Sequence, residues 1–170
     1  MIDGIGVVLA AKIMGKPLKQ RVTGVDFVES LCKYISKRPI TAAFLGGGPR
    51  VAEKACECLQ KKYSGLKTAW FSQEPNDSLL YKSTDILFVA FGSPKQEEWI
   101  AKNLDKIPAK VVIGVGGAFD FISGNVRRAP KFIRSLGLEW LFRLLIQPWR
   151  IKRQLSLIKF VYLIFKEKFS

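Results

Sequence analysis

The sequence contains no histidine. That removes the commonest general base, the Ser–His and Cys–His nucleophile pairs, and the commonest metal ligand, so any general base has to be sought among carboxylates. Cysteine is scarce and odd in number, with Cys32, Cys56 and Cys58. Cys56 and Cys58 stand two apart in a helix-like run, where they point to different faces. They read as structural thiols in a reducing compartment. Acidic residues are half as many as basic ones, 14 against 28, for a formal net charge of +14. No apolar run reaches the roughly 20 residues that a bilayer-spanning helix needs; the strongest, Leu155–Phe165, is interrupted by Ser156 and Lys159. No secretory-signal pattern precedes the first periodic segment, which predicts a cytoplasmic protein.

What is present is a chain of 170 residues, enough for one buried core, with 48% apolar residues, too many for a disordered chain. The positive charge is local. Between Arg127 and Ser170 there are eleven basic residues against Glu139 and Glu167, so +9 of the +14 sits in the last quarter. Such a concentration predicts a surface for an anionic partner.

Residues 5–14 are apolar apart from Lys12 and predict a buried helix. Thr23-Gly24-Val25-Asp26 predicts a turn with a cap, leading into a helix around Phe27–Ser36. Thr41–Leu45 reads as a strand ending in Gly46-Gly47-Gly48, and Pro49 suits the first position of a helix over Val51–Tyr63. A short strand followed by a loop is expected in Thr68–Ser83. Asp85–Phe91 is a nearly continuous apolar run, as a central parallel strand buried on both faces requires. A helix to about Leu104 follows, then a second buried strand at Lys110–Val115 and the turn Gly116-Gly117-Ala118-Phe119-Asp120. Strands alternating with helices predict an α/β fold, a Rossmann-like parallel sheet flanked by helices. Its ligands bind beyond the carboxyl ends of the strands, so the glycine turns are expected to face one crevice. Ala129–Ser170 reads as helical with a break near Pro148. The division expected is a core over 1–137 and a basic, apolar-tailed helical appendage over 138–170.

Four constellations carry chemistry. Ser93-Pro94-Lys95-Gln96 has the spacing of a capping box, and the same helix start would lie in the crevice. The glycine turns at Gly46, Gly47 and at Gly116, Gly117 resemble phosphate cradles without matching the dinucleotide fingerprint or the P-loop. Arg143, Arg150 and Arg153 are spaced by seven and three, which on one continuous helix gives a single face. Trp140, Phe142 and Trp149 are interleaved with them, and guanidinium forks suit phosphate oxygens. Asp3, Asp26 and Asp120 are the carboxylates placed at turns; each can be a helix cap or a functional acid, and the residues alone do not rank them.

These motifs occur together in one order. Asp3-Gly4-Ile5-Gly6-Val7-Val8, Arg21-Val22-Thr23-Gly24-Val25-Asp26, Phe44-Leu45-Gly46-Gly47 and Gly92-Ser93-Pro94-Lys95-Gln96-Glu97 lead to Gly116-Gly117-Ala118-Phe119-Asp120, Arg128-Ala129-Pro130, Leu138-Glu139-Trp140 and Arg143-Leu144. The series resembles the WecG/TagA/CpsF glycosyltransferase family over nearly the whole chain. The resemblance implies inverting, metal-independent transfer of an N-acetylmannosamine-like sugar. The donor would be a UDP-sugar and the acceptor polyprenyl-diphosphate-linked, in teichoic acid or surface-polysaccharide synthesis. It implies no cofactor, since the UDP-sugar is a substrate, and a place at the inner face of the cytoplasmic membrane. Asp3 matches the family's catalytic base. The substrate-binding set is Arg21, Gly46, Gly47, Gln96, Gly116, Gly117, Asp120, Arg143, Arg150 and Arg153, the last three matched to arginines that neutralise the departing diphosphate. Against the family pattern the segment before Asp3-Gly4 is missing, and Ala69–Lys82 is shorter and lacks a glycine-tyrosine stretch.

Two other readings remain at this point. One is a shortened member that binds UDP or membrane without turnover. The other is a nucleic-acid-binding module gripping phosphates with arginines and stacking bases on aromatics, which the resemblance disfavours. Trp140, Phe142 and the apolar tail suit a protomer interface as well as a membrane surface.

Overall fold

The computed structural model describes residues 5–16, 22–75, 82–148, 151, 160, 162–164 and 166. They belong to two compact units, one formed by Gly24–Arg127 and the other by Met1–Thr23 with Arg128–Ser170.

The first unit opens with helix α2 (Gly24–Ile35), which follows α1 (Ile5–Ile13) of the other unit, and continues with strand β1 (Thr41–Gly46), α3 (Val51–Lys62) and β2 (Lys67–Ser72). Then come β3 (Thr84–Ala90), α4 (Lys95–Asn103), a 3-10 turn, β4 (Ala109–Gly114) and the short α5 (Ala118–Ile122). The four strands form one parallel sheet in the order β2-β1-β3-β4. The fold is the α/β one expected.

Alternation divides the sheet's side chains between two cores. Ala42 and Phe44 of β1 and Ile86, Phe88 and Ala90 of β3 pack with α2, α3 and α5. Ala43, Leu45, Leu87 and Val89 point the other way, onto Trp70, Ile107 and the α4 residues Trp99 and Ile100. Crossovers in parallel sheets are right-handed, so connections leaving in opposite directions along the sheet must run over opposite faces. The α3 and α4 crossovers do so, which makes three layers. Burial on both faces is why β1 and β3 are almost wholly apolar.

Three local expectations are corrected. The strand at Ala109–Gly114 is an edge strand, not a buried one: Lys110 and Val111 are exposed. Pro49 is not the first helical residue; it lies in a turn, and Arg50 caps α3 in the left-handed region at φ 57° before the helix starts at Val51. Among the described side chains of α1, Gly6 and Ala10, four apart, are buried, while Val7 is 47% exposed, so only one face is covered.

The amino end of the sheet is held by one carboxylate. Asp85 Oδ2 accepts from the Thr41 N–H at 2.8 Å and the Thr41 hydroxyl at 2.9 Å, and Oδ1 lies 2.7 Å from Lys110 Nζ. The carboxylate thereby links β1, β3 and β4. The Lys110 ammonium first, and then the two Thr41 donors, hold the Asp85 pKa down at about 2 against an ordinary 3.8.

A depressed folded-state pKa contributes stability above the unfolded value and loses it as pH falls through the folded one. Asp85→Asn therefore lowers the melting temperature at neutral pH. The gap from wild type narrows from about pH 4 and closes near pH 2 in melts followed by circular dichroism. A gap unchanged across that range refutes the staple. The thiols give a second check. Burial, then Cys56 and Glu29 nearby, push the Cys32 thiol up to about 12, and Cys56 is buried as well. Cys58 is exposed. In the native protein at pH 8 a thiol reagent labels Cys58 alone, by peptide mass; Cys32 and Cys56 react only after unfolding.

Candidate functional site

Sheet order places a specific opening. The connection from β1 leads outward to β2, whereas β3 is followed by β4 on the other side, so β1 and β3 flank the point where the winding reverses. Clefts form beyond the carboxyl ends of strands at that point. One is present, with a volume of about 510 Å³, lined by Gly47, Gly48, Pro75, Ala90, Phe91, Lys95, Trp99 and Asp120.

Each wall has a local cause. The β1 end turns at Gly46 and Gly47, with φ 106° and 87°, a region glycine enters without strain. A Cβ on Gly46 would stand 2.9 Å from the Ala90 backbone carbon, and one on Gly47 would meet Val51 Cβ at 2.8 Å. Gly47 N–H donates to the Ala90 carbonyl at 3.1 Å, which ties the β1 exit to the β3 exit. The glycines therefore serve close backbone approach first. Gly47 and Gly48 line the cleft; Gly46 does not.

The second wall is α4. Lys95 opens this helix and lines the cleft, so the positive end of the helix dipole lies at the cleft as well. Trp99, four residues on, shares that face and rests edge-on against Phe91, with ring centroids 5.5 Å apart at 78°. The third wall comes from α5. Phe119 is buried against Phe44, at 5.6 Å between rings. Asp120, about 100° further round the helix, lines the cleft instead.

Gln96 has an unexpected position. Pro94, not Ser93, occupies the cap of α4, and the Gln96 side chain bonds Gly116 and Glu97 rather than turning back to the cap, so the capping box does not form. Gln96 is only 6% exposed, and its Oε1 accepts from the Gly116 N–H at 2.8 Å. Its Nε2 donates to Glu97 Oε1 at 2.8 Å. Partial burial would raise the Glu97 pKa, yet hydrogen bonds from Gln96, the Glu97 N–H and Ser93 outweigh it and bring it down. Gly116 (φ 59°) and Gly117 form the turn and are not in the cleft lining.

The other unit holds α1, α6 (Lys131–Ser135) and α7 (Glu139–Ile146). Arg128 lies 3.5 Å from Glu139 and donates to the Thr23 hydroxyl at 3.1 Å, joining three of the sequence motifs. Helix α7 ends at Ile146, with Gln147 outside the helical region at φ −128° and ψ 73°, immediately before Pro148. Arg143 is therefore not on one continuous helix with positions 150 and 153, and the single-face argument for the arginines falls. Arg143 Nε lies 3.4 Å from Gln147 Oε1. Phe132, Leu136 and Leu145 are 65%, 68% and 76% exposed beside these basic residues. No helix among the described residues is long and apolar enough to cross a membrane. Nor do three or more Cys, Asp or Glu gather there as a metal site would require. Asp3, Arg21, Arg150, Arg153 and most of the Leu155–Phe165 tail lie outside the described residues.

Lys95, Trp99 and Phe91 are not among the site residues expected from the sequence. The available signal was the four-residue spacing of Lys95 and Trp99 at the start of a helix facing the crevice.

Comparison with known proteins agrees with this architecture. The model of the glycosyl transferase WecG/TagA/CpsF family matches residues 1–170. Three relatives carry the name N-acetylglucosaminyldiphosphoundecaprenol N-acetyl-beta-D-mannosaminyltransferase. The one from Bacillus spizizenii is 37% identical over 98% of this chain and 67% of its own length. That from Bacillus subtilis is 35% identical and that from Staphylococcus aureus 34%, each over 98% of this chain and 68% of the relative.

The two neighbouring cleft glycines differ in what they tolerate. Gly47→Ala must adopt a left-handed conformation and overlap Val51, and is expected to cost about 2 kcal/mol or more in denaturant unfolding. Gly48→Ala meets Val51 Cγ2 at an ordinary 3.6 Å and should change stability by less than about 0.5 kcal/mol. Equal costs would contradict the turn geometry.

Proposed function

The chain belongs to the WecG/TagA/CpsF glycosyltransferase family, and from that we propose that it moves an N-acetylmannosamine-like sugar from UDP to a polyprenyl-diphosphate-linked N-acetylglucosamine. It is a hexosyltransferase, as its relatives are. The observation that carries the donor reading is the cleft where the sheet winding reverses. Backbone at Gly47 and Gly48, the Lys95 ammonium and the α4 N-terminus suit the donor phosphates. The aromatic edge of Trp99 and the Asp120 carboxylate suit the uracil or the ribose hydroxyls.

The chemistry is a displacement at the anomeric carbon. The acceptor hydroxyl oxygen attacks that carbon from the face opposite UDP; the bond to the phosphate oxygen breaks, and the configuration inverts. The hydroxyl proton passes to a carboxylate, a role the family motif gives to Asp3. UDP departs as an anion. In place of a metal, arginines would stabilise that charge, a role the motif gives to Arg143, Arg150 and Arg153, with Arg21 as a further substrate contact. The acceptor carries a long lipid, and the exposed apolar side chains of α6 and α7 among basic residues suit an anionic membrane surface. Each nearby Lys or Arg is worth about 1 kcal/mol there.

UDP release with UDP-N-acetylmannosamine and a short-chain lipid-linked N-acetylglucosamine tests this directly. Wild type turns over in chelator, and Asp3→Asn loses about 100-fold or more in kcat. Turnover by Asp3→Asn at the wild-type rate removes the base assignment; dependence on an added divalent ion removes the metal-free mechanism.

A further inference from the structure

We propose that Gln96 is a positioning residue that sets the Gly116–Gly117 turn, and that position 114 is glycine to make room for it. The idea deepens the donor-cleft reading and rests on it for its effect on ligand affinity.

The polarity of the amide is self-consistent. Gly116 N–H is a donor and requires the oxygen; the Glu97 carboxylate is an acceptor and requires the nitrogen. Reversing the amide would set donor against donor and acceptor against acceptor. With both amide atoms bonded inside the protein and 6% of the residue exposed, Gln96 is built as a strut between the α4 start and the β4 exit.

The turn needs such a strut. A Cβ on Gly116 would meet nothing within 4 Å, so side-chain packing does not define that corner. It is held by hydrogen bonds: Val115 N–H to the Val89 carbonyl, Ala118 N–H to the Val115 carbonyl, and Gly116 N–H to Gln96. Directly after the corner the chain sends Phe119 into the core and Asp120 into the cleft. A shift of the corner is therefore delivered to a cleft wall. Gln96 also sits between Lys95 and Trp99 in sequence, so one side chain references two walls to each other.

Gly114 supplies an independent sign. A Cβ there would stand 2.9 Å from Gln96 Nε2, 3.0 Å from Cδ and 3.4 Å from Cγ. Gly114 has no positive φ to explain it, so the glycine answers to the passing glutamine.

The test combines Gln96→Met, which keeps length without hydrogen bonds, with Gly114→Ala, which displaces the glutamine without altering it. Gly116 amide exchange is followed by NMR on the full chain, and UDP binding by calorimetry. In Gln96→Met the Gly116 amide exchanges roughly tenfold faster and UDP affinity falls several-fold. Gly114→Ala reproduces both effects, and in the double variant Gly116 exchanges no faster than in Gln96→Met, because the hydrogen bond that the added methyl disturbs is already absent. Should Gln96→Met fail to fold, Gly114→Ala alone must show the faster Gly116 exchange. Lost UDP affinity with Gly116 protection intact would make Gln96 a direct ligand contact and overturn the proposal, as would Gly116 exchange that speeds up additively in the double variant. If the wild-type chain binds no UDP, the donor reading fails, while Gly116 exchange in the single and double variants still decides the strut.

Discussion

Two parallel strands that lie side by side while the chain winds away from them in opposite directions cannot be covered by the same helix at their ends. The β1–β3 pair is in that situation, and the rest of the site follows from it. Right-handed crossovers send α3 to one face and α4 to the other, leaving the strand exits facing open space between them. The apolar runs of β1 and β3, the glycines that let one exit touch the other, and the charged residues at the starts of α4 and α5 all serve that opening. The basic C-terminal region belongs to the other unit.

Much of this was legible from residue patterns, for identifiable reasons. A strand buried on both faces has no periodicity to hide, so Asp85–Phe91 announced itself. The β4 segment has the same apolar character, yet lies at the sheet edge, because strand order depends on contacts far apart in sequence. The serine-to-glutamine spacing at Ser93–Gln96 is a sound capping signal; a partner 20 residues away won the glutamine's amide instead. Pro148 did end a helix, and with it the argument that aligned three arginines. Cleft residues with ordinary roles elsewhere, such as Lys95 and Trp99, became visible only once the helix had a face and a place.

The site divides its labour by residue type. Glycines set how closely backbone segments approach; buried Phe119 and Gln96 fix where a wall stands; Lys95, Trp99 and Asp120 present chemistry to the opening. Charge is distributed sparingly, with Lys95 and Asp120 the one cation and one carboxylate among the described residues of the cleft lining. The proposed donor, a nucleotide-sugar, carries both anionic phosphates and neutral hydroxyl-rich rings, and a cleft of mixed character suits both.

The hydrogen bond from Arg128 to Thr23 has a bearing on chain topology. Thr23 and Arg128 are the residues on either side of the contiguous stretch Gly24–Arg127. The polypeptide therefore leaves for the sheet and returns from it at one spot, fastened by a guanidinium and a hydroxyl. In terms of lineage and engineering, the sheet unit has the form of a cassette seated in a host chain. The two crossing points are close in space, which is the arrangement that joining them by a short linker would require.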